Sequence, residues 1–111
     1  MWNEPSKTVL DKIPRLHESG DISFKDKLIY LHFFIGGCDW YIAEYDGEDV
    51  FFGFVILGND LRNAEWGYVS FSELKSISIA FCEIDNDIHW KVCKASKIQK
   101  ICEAQGWRQA S

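Results

Sequence analysis

The sequence predicts an α+β fold, a single curved antiparallel β-sheet of about five strands packed against two or three short helices. Runs rich in β-branched and aromatic residues recur between residues 27 and 71, separated by Gly-Gly and Asp-Gly breaks. The connections between them are short, which makes an antiparallel meander the least demanding topology. Two Ser-x-x-Glu/Gln patterns, at Ser70 and Ser96, then signal helix starts.

A chain of 111 residues has room for one domain, and its 47% apolar and 15% aromatic content can fill a core. Burial is worth about 25 cal/mol per Å² of apolar surface, so the eight Phe, five Trp and four Tyr drive collapse. The expected division is a helix and connector over 1–25, the sheet with a short helix over 26–92, and a terminal helix over 93–111.

In chain order, residues 5–13 read as a helix, with Pro5 in its first turn and Val9, Leu10 and Ile13 on one face until Pro14 stops it. Residues 14–25 are a polar connector. Residues 27–34 form the first strand, ended by Gly36-Gly37. In the second, 39–45, Trp40, Ile42 and Glu44 share one face, and Tyr41, Ala43 and Tyr45 the other. Asp46-Gly47 turns the chain into a third strand, 50–57, apolar on both faces and therefore interior. A fourth strand spans 66–71. A capped helix follows through Leu74 and Ile77, then a fifth strand over 78–84 and a further segment at 89–92. Ser96 opens the last helix, with Ile98, Ile101 and Cys102 on its apolar face.

Charge is distributed unevenly. Residues 1–38 balance five acids with five bases, whereas 39–87 hold eleven acids against Arg62 and Lys75, a net of −9. Residues 88–111 return +4 from five bases and Glu103, giving −5 for the chain. Nucleic-acid binding needs Lys and Arg to displace counterions from phosphates, so the acidic middle argues against that partner. No run approaches the ~20 apolar residues of a membrane span, and residues 1–5 show no basic-then-apolar leader. The expectation is a cytoplasmic chain without a membrane partner. Cys38, Cys82, Cys93 and Cys102 form no Cys-x-x-Cys pair and stand at no zinc spacing from His17, His32 or His89, so they read as reduced thiols, with Cys82 and Cys93 in the core. No Gly-rich phosphate loop occurs, and no cofactor is expected.

The order Asp39-Trp40-Tyr41-Ile42-Ala43-Glu44-Tyr45-Asp46, Phe51-Phe52-Gly53-Phe54-Val55, Glu65-Trp66-Gly67-Tyr68-Val69-Ser70-Phe71-Ser72-Glu73-Leu74 resembles the domain of unknown function 2958 family. Ile13-Pro14-Arg15-Leu16 and Leu31-His32-Phe33-Phe34 are similar to its opening motifs, and Glu83-Ile84-Asp85 falls where the family has Glu-Arg-Asp. Trp66 replaces a common Leu, and Ile84 replaces the Arg, which removes any function of that guanidinium. The resemblance spans residues 13–91. It implies carriage on bacterial plasmids, phages and integrative elements, and no agreed activity.

No pattern writes out a catalytic mechanism. The weak catalytic candidates are Glu44, Glu65, Asp85 and His89; a converging carboxylate pair could serve as acid and base or hold a divalent cation. Against this, Glu73 reads as a capping-box residue, Asp46 as a turn residue, and Glu83, Asp85 and Asp87 as a solvated rim. The favoured reading is a non-enzymatic protein-binding module whose acidic, aromatic sheet face, built from Trp40, Glu44, Glu65, Trp66, Tyr68 and Asp85, engages a basic protein partner. With the mobile-element resemblance, that suggests a modulator of host defence or nucleic-acid-handling machinery. The alternatives are a small carboxylate-based hydrolase or metal-dependent enzyme, whose carboxylates must converge, and a structural accessory protein that forms a homodimer through a sheet edge.

Overall fold

A computed structural model describes residues 4–79 and 82–107. Helix α1 (Lys7–Asp11) leads, through the connector and a 3₁₀ turn (Phe24–Asp26), to strands β1 (Leu28–Ile29), β2 (Leu31–Ile35), β3 (Cys38–Tyr45), β4 (Val50–Ile56) and β5 (Glu65–Ser70). Helix α2 (Phe71–Ser76), short strands β6 (Ser78–Ile79), β7 (Cys82–Glu83), β8 (Asp85–Asn86) and β9 (Cys93–Lys94), a 3₁₀ turn (Ala95–Lys97) and helix α3 (Gln99–Gln105) complete the chain. The main sheet is five-stranded and antiparallel, in the order β5-β4-β3-β2-β8, and it does not close into a barrel. The α+β class, the strand number and the three short helices match the expectation from sequence.

Several elements differ from it in detail. The fifth strand expected over 78–84 is split: β6 pairs with β7 in a small ladder, and β8 takes the place beside β2, while residues 80–81 lie outside the described residues. The segment 89–92 is not a strand; the pairing falls just beyond it, where β9 joins β1. Pro5 precedes α1, and Ser6 is the N-cap, its hydroxyl accepting from Val9 N–H. Ser70 caps α2 as expected, accepting from Glu73 N–H. Ser96 does not cap α3, because the chain makes a 3₁₀ turn there and Ile98 occupies the N-cap without a side-chain bond.

Both faces of the sheet are covered. On one, Leu31, Phe33, Ile35, Trp40, Ile42 and Phe51 pack with Ile13, Phe71, Leu74 and Ile84. On the other, Tyr41, Ala43, Phe54 and Ile56 pack with Ile29, Ala95, Ile98 and Ile101, so α3 lies on this side. Strand β3, expected to show a wet acidic face, is therefore covered on both sides, and Trp40, only 4% exposed, is core rather than an interface anchor. Cys82 is exposed and Cys93 half-buried, which corrects their placement in the core.

The decisive irregularity is a β-bulge. Ile42 pairs with Gly53 and Glu44 with Phe52, so Ala43 is an extra residue on β3. The insertion reverses the alternation beyond it. Glu44 leaves the face of Trp40 and Ile42 and joins that of Tyr41 and Ala43, while Tyr45 goes to the opposite core. Gly53 sits against this bulge so closely that a Cβ there would lie 2.0 Å from the Tyr41 carbonyl oxygen. At Gly67, the paired residue on β5, a Cβ would meet nothing within 4 Å.

These two glycines should therefore respond oppositely. Gly53→Ala is expected to cost more than about 3 kcal/mol, beyond ordinary overpacking, because backbone cannot move aside like a side chain. Gly67→Ala should stay within about 0.5 kcal/mol of the parent or exceed it. Urea denaturation of both variants checks this.

Candidate functional site

Turned by the bulge, the Glu44 carboxylate lies 3% exposed beneath residues 17–27. It accepts from His17 N–H at 2.9 Å, from Ser19 N–H at 3.2 Å and from the Ser19 hydroxyl. Lys27, 5% exposed, donates its ammonium to the Ser19 carbonyl at 2.6 Å and to the Ser19 hydroxyl oxygen at 3.0 Å. Ser19 thus links a buried carboxylate to a buried ammonium, and each charge has partners to replace water. Burial pushes the Glu44 carboxyl up, but the Ser19 hydroxyl, the two backbone N–H groups and Lys27 outweigh it, so its pKa is lowered. A carboxylate held ionised in this way is a structural post rather than a proton donor.

Above this post opens a cleft of about 460 Å³ between the connector and the outer part of β4–β5. Its apolar walls are Ile22, Phe24, Phe52 and Tyr68, with His17 and Asp21 at the mouth. Ile22 is 46%, Phe24 44% and Tyr68 58% exposed, a concentration of large apolar side chains in water. Phe24 stacks on Trp66 at 4.7 Å, Phe52 contacts Tyr68 at 5.1 Å, and the His17 ring meets Tyr68 edge-on at 6.5 Å. His17 holds φ at +71°, in the left-handed region a side chain rarely adopts; its backbone bond to Glu44 keeps it there. A second cleft of about 400 Å³, lined by Val55, Leu57, Asp60, Asn63, Glu65 and Gly67, lies across the β5 edge on the other face of the sheet, and Tyr68 borders both.

The candidate residues separate into distinct places. Glu44 is the floor of the first cleft and Tyr68 its rim, whereas half-buried Trp66 does not line it but stacks on two of its walls, Phe24 and Phe52, with the indole N–H donated to Gln105 at 3.2 Å. Glu65, exposed, lies in the second cleft on the other face, paired through Val55 to Trp40. Asp85 lies on β8 at the far edge, opposite Phe34, which places it roughly 18 Å from Glu44 by strand spacing and rise. His89 is exposed in a turn, its N–H donated to Asp87. The carboxylates do not converge, which removes the acid–base pair the hydrolase alternative required. Among the described residues no group of three or more His, Cys, Asp or Glu is placed to hold a metal ion, and no helix is long and apolar enough to cross a membrane.

His17, Ile22, Phe24, Lys27 and Phe52 were not among the candidates. The available signal was the pair Ile22 and Phe24, apolar residues within an otherwise polar connector. A second buried cluster, around His32, closes the same face farther along. Its Nε2 lies 2.7 Å from Asp39, which also accepts from the Lys100 ammonium at 2.7 Å, and its ring stacks on Tyr41 at 4.5 Å. Burial raises the Asp39 carboxyl, but the bonds to His32 and Lys100 bring it below the usual range, while burial and Asp39 push the Tyr41 phenol up. This cluster fastens α3 to the sheet.

The lowered carboxyls have a consequence for pH dependence. A depressed pKa means that the folded state binds fewer protons than the unfolded chain. The stability from Glu44 is complete above its ordinary value of 4.5 and is lost as pH falls through the lower folded value. Glu44→Gln should cost about 1–3 kcal/mol near neutrality, because donors lose a charged acceptor, and should flatten the acid limb of stability. Thermal melts between about pH 3 and pH 7 measure both effects.

Comparison with curated proteins finds no match, and comparison with solved structures finds none. The family model described as "Protein of unknown function (DUF2958)" matches residues 14–106, a span that takes in the connector, the whole sheet, the cleft and α3. The chain therefore belongs to the DUF2958 family.

Proposed function

We propose that the protein is a non-enzymatic binding module that captures a basic protein segment through the Ile22–Phe24–Tyr68 cleft. The observation that carries this reading is the convergence of three exposed apolar side chains on one concavity whose floor is already bonded internally. Aromatic anchors in a pocket, surrounded by polar groups, are what protein interfaces concentrate their binding energy in. Asp21 at the mouth and the net charge of −5 favour a partner carrying Lys or Arg near its apolar anchor. Glu44 offers no lone reactive carboxyl, because its oxygens are engaged by His17 and Ser19, which weighs against acid–base catalysis here. Together with the mobile-element context implied by the family resemblance, the chemistry suits an accessory protein acting on host defence or nucleic-acid-handling machinery, whose proteins present basic surfaces.

The test is affinity capture with the parent chain and with Phe24→Ala, Tyr68→Ala and the double variant, at low and high salt. Each single variant should weaken a captured complex by about 1–3 kcal/mol, the double variant should abolish it, and raised salt should slow its formation. A partner retained equally by the double variant defeats the proposal.

A further inference from the structure

We infer that the open edge of β5 takes the partner's segment as an added β-strand, in which large apolar side chains on one face alternate with Lys or Arg on the other. This deepens the binding reading above and rests on it. Strand β5 ends the sheet order, and among the described residues no strand pairs with its outer side.

The outward backbone groups can be identified. Phe71 N–H donates to the Asp49 carbonyl at 2.6 Å, so Asp49 and Phe71 form a hydrogen-bonded pair at the end of the β4–β5 ladder. Antiparallel pairs alternate, so Phe51↔Val69 and Gly53↔Gly67 exchange bonds, whereas Phe52↔Tyr68 and Phe54↔Trp66 do not. The turn agrees: Asp46 N–H donates to the Val50 carbonyl, directing that residue's backbone towards β3. The N–H and C=O groups of Trp66 and Tyr68 therefore point away from the sheet. They form a template for another chain.

A cleft flanks this edge on each face. A strand pairing with Trp66 and Tyr68 places the residues opposite them on the same face, beside the Phe24, Phe52 and Tyr68 walls. The intervening residue, opposite Gly67, projects to the other face, into the cleft of Glu65 and Asp60. Asp60 is held ionised, its carboxyl lowered by the Asn63 side chain and by backbone N–H groups. Apolar against apolar and cation against two acids give the alternation.

Gly67 points the same way. Its φ is not positive and an added Cβ would touch nothing, so the fold does not require glycine there, unlike at Gly53. Glycine within a strand marks a place where another group approaches closely. Here it keeps the acidic cleft open for the incoming cation.

The experiment titrates the ¹⁵N-labelled full chain with a capped peptide of about eight residues alternating Leu and Lys, long enough to span β5 at roughly 3.4 Å per residue. A peptide of the same composition with its Leu and Lys in two blocks is the control. The alternating peptide should bind about tenfold or more tightly than the block peptide. Trp66 and Tyr68 amide exchange should slow about tenfold on binding, while that of Gly67 and Val69, already in the ladder, stays unchanged. Gly67→Val should keep the parent's melting behaviour and weaken binding about tenfold or more. Equal binding of both peptides without Trp66 and Tyr68 protection, but lost in Tyr68→Ala, overturns strand addition and leaves cleft docking intact. Binding of neither peptide also overturns it, while partner capture dependent on Phe24 and Tyr68 still decides the broader reading. Protection of those amides without peptide, with a doubled mass by light scattering, overturns it in favour of a second copy at the edge.

Discussion

One extra residue in β3 governs the geometry of the candidate site. Without Ala43 bulging out, strict alternation would direct Glu44 into the apolar core of Trp40 and Ile42. With it, the carboxylate reaches the opposite face and gathers His17, Ser19 and, through Ser19, Lys27. The bulge in turn needs the space that Gly53 leaves beside the Tyr41 carbonyl. A local backbone accommodation thus sets the path of a connector more than twenty residues earlier in the chain.

That connector is held by polar bonds on its inner side and left apolar on its outer side. Buried charges are costly to leave unpaired, so the Glu44–Ser19–Lys27 arrangement fixes position more than it adds net stability. Its effect is to present Ile22 and Phe24 to solvent at a defined distance from Tyr68. Exposed apolar area of this kind, beside a carboxylate that is already engaged, is what the binding proposal rests on.

The strands were legible because their aromatic and β-branched runs were bounded by Gly-Gly and Asp-Gly breaks, and three of them fall within two residues of the expected limits, while the first, expected over 27–34, is divided into β1 and β2, which join different sheets. The Ser70 cap was legible because its hydroxyl acts locally on Glu73 N–H. What could not be read depended on partners distant in sequence. Alternation assigned Glu44 to the wrong face because nothing near Ala43 announces a bulge; the cause, Gly53, lies across the sheet. The Ser96 pattern failed because Ala95 N–H is taken by the Lys27 carbonyl, which fixes the chain in a 3₁₀ turn before the helix can begin. Of the candidate residues, Glu44 and Tyr68 meet at the cleft, Trp66 supports its aromatic walls, and Glu65 reaches only its neighbour. Trp40 and Asp85 were attractive by residue type, but type carries no information on burial or on which edge of the sheet a strand will join.

Helix α3 is seven residues long, yet both jaws of the cleft are bolted to it or to the residues that flank it. The back jaw, Phe52, rests on Trp66, whose indole N–H is donated to Gln105. The front jaw is fixed by Lys25 over the ring of Trp107 and by the Ala95–Lys27 backbone bond just upstream. Lys100 ties the same helix down onto Asp39. The aperture is therefore set by residues 95–107, and the sheet cannot present a finished groove until that segment has docked.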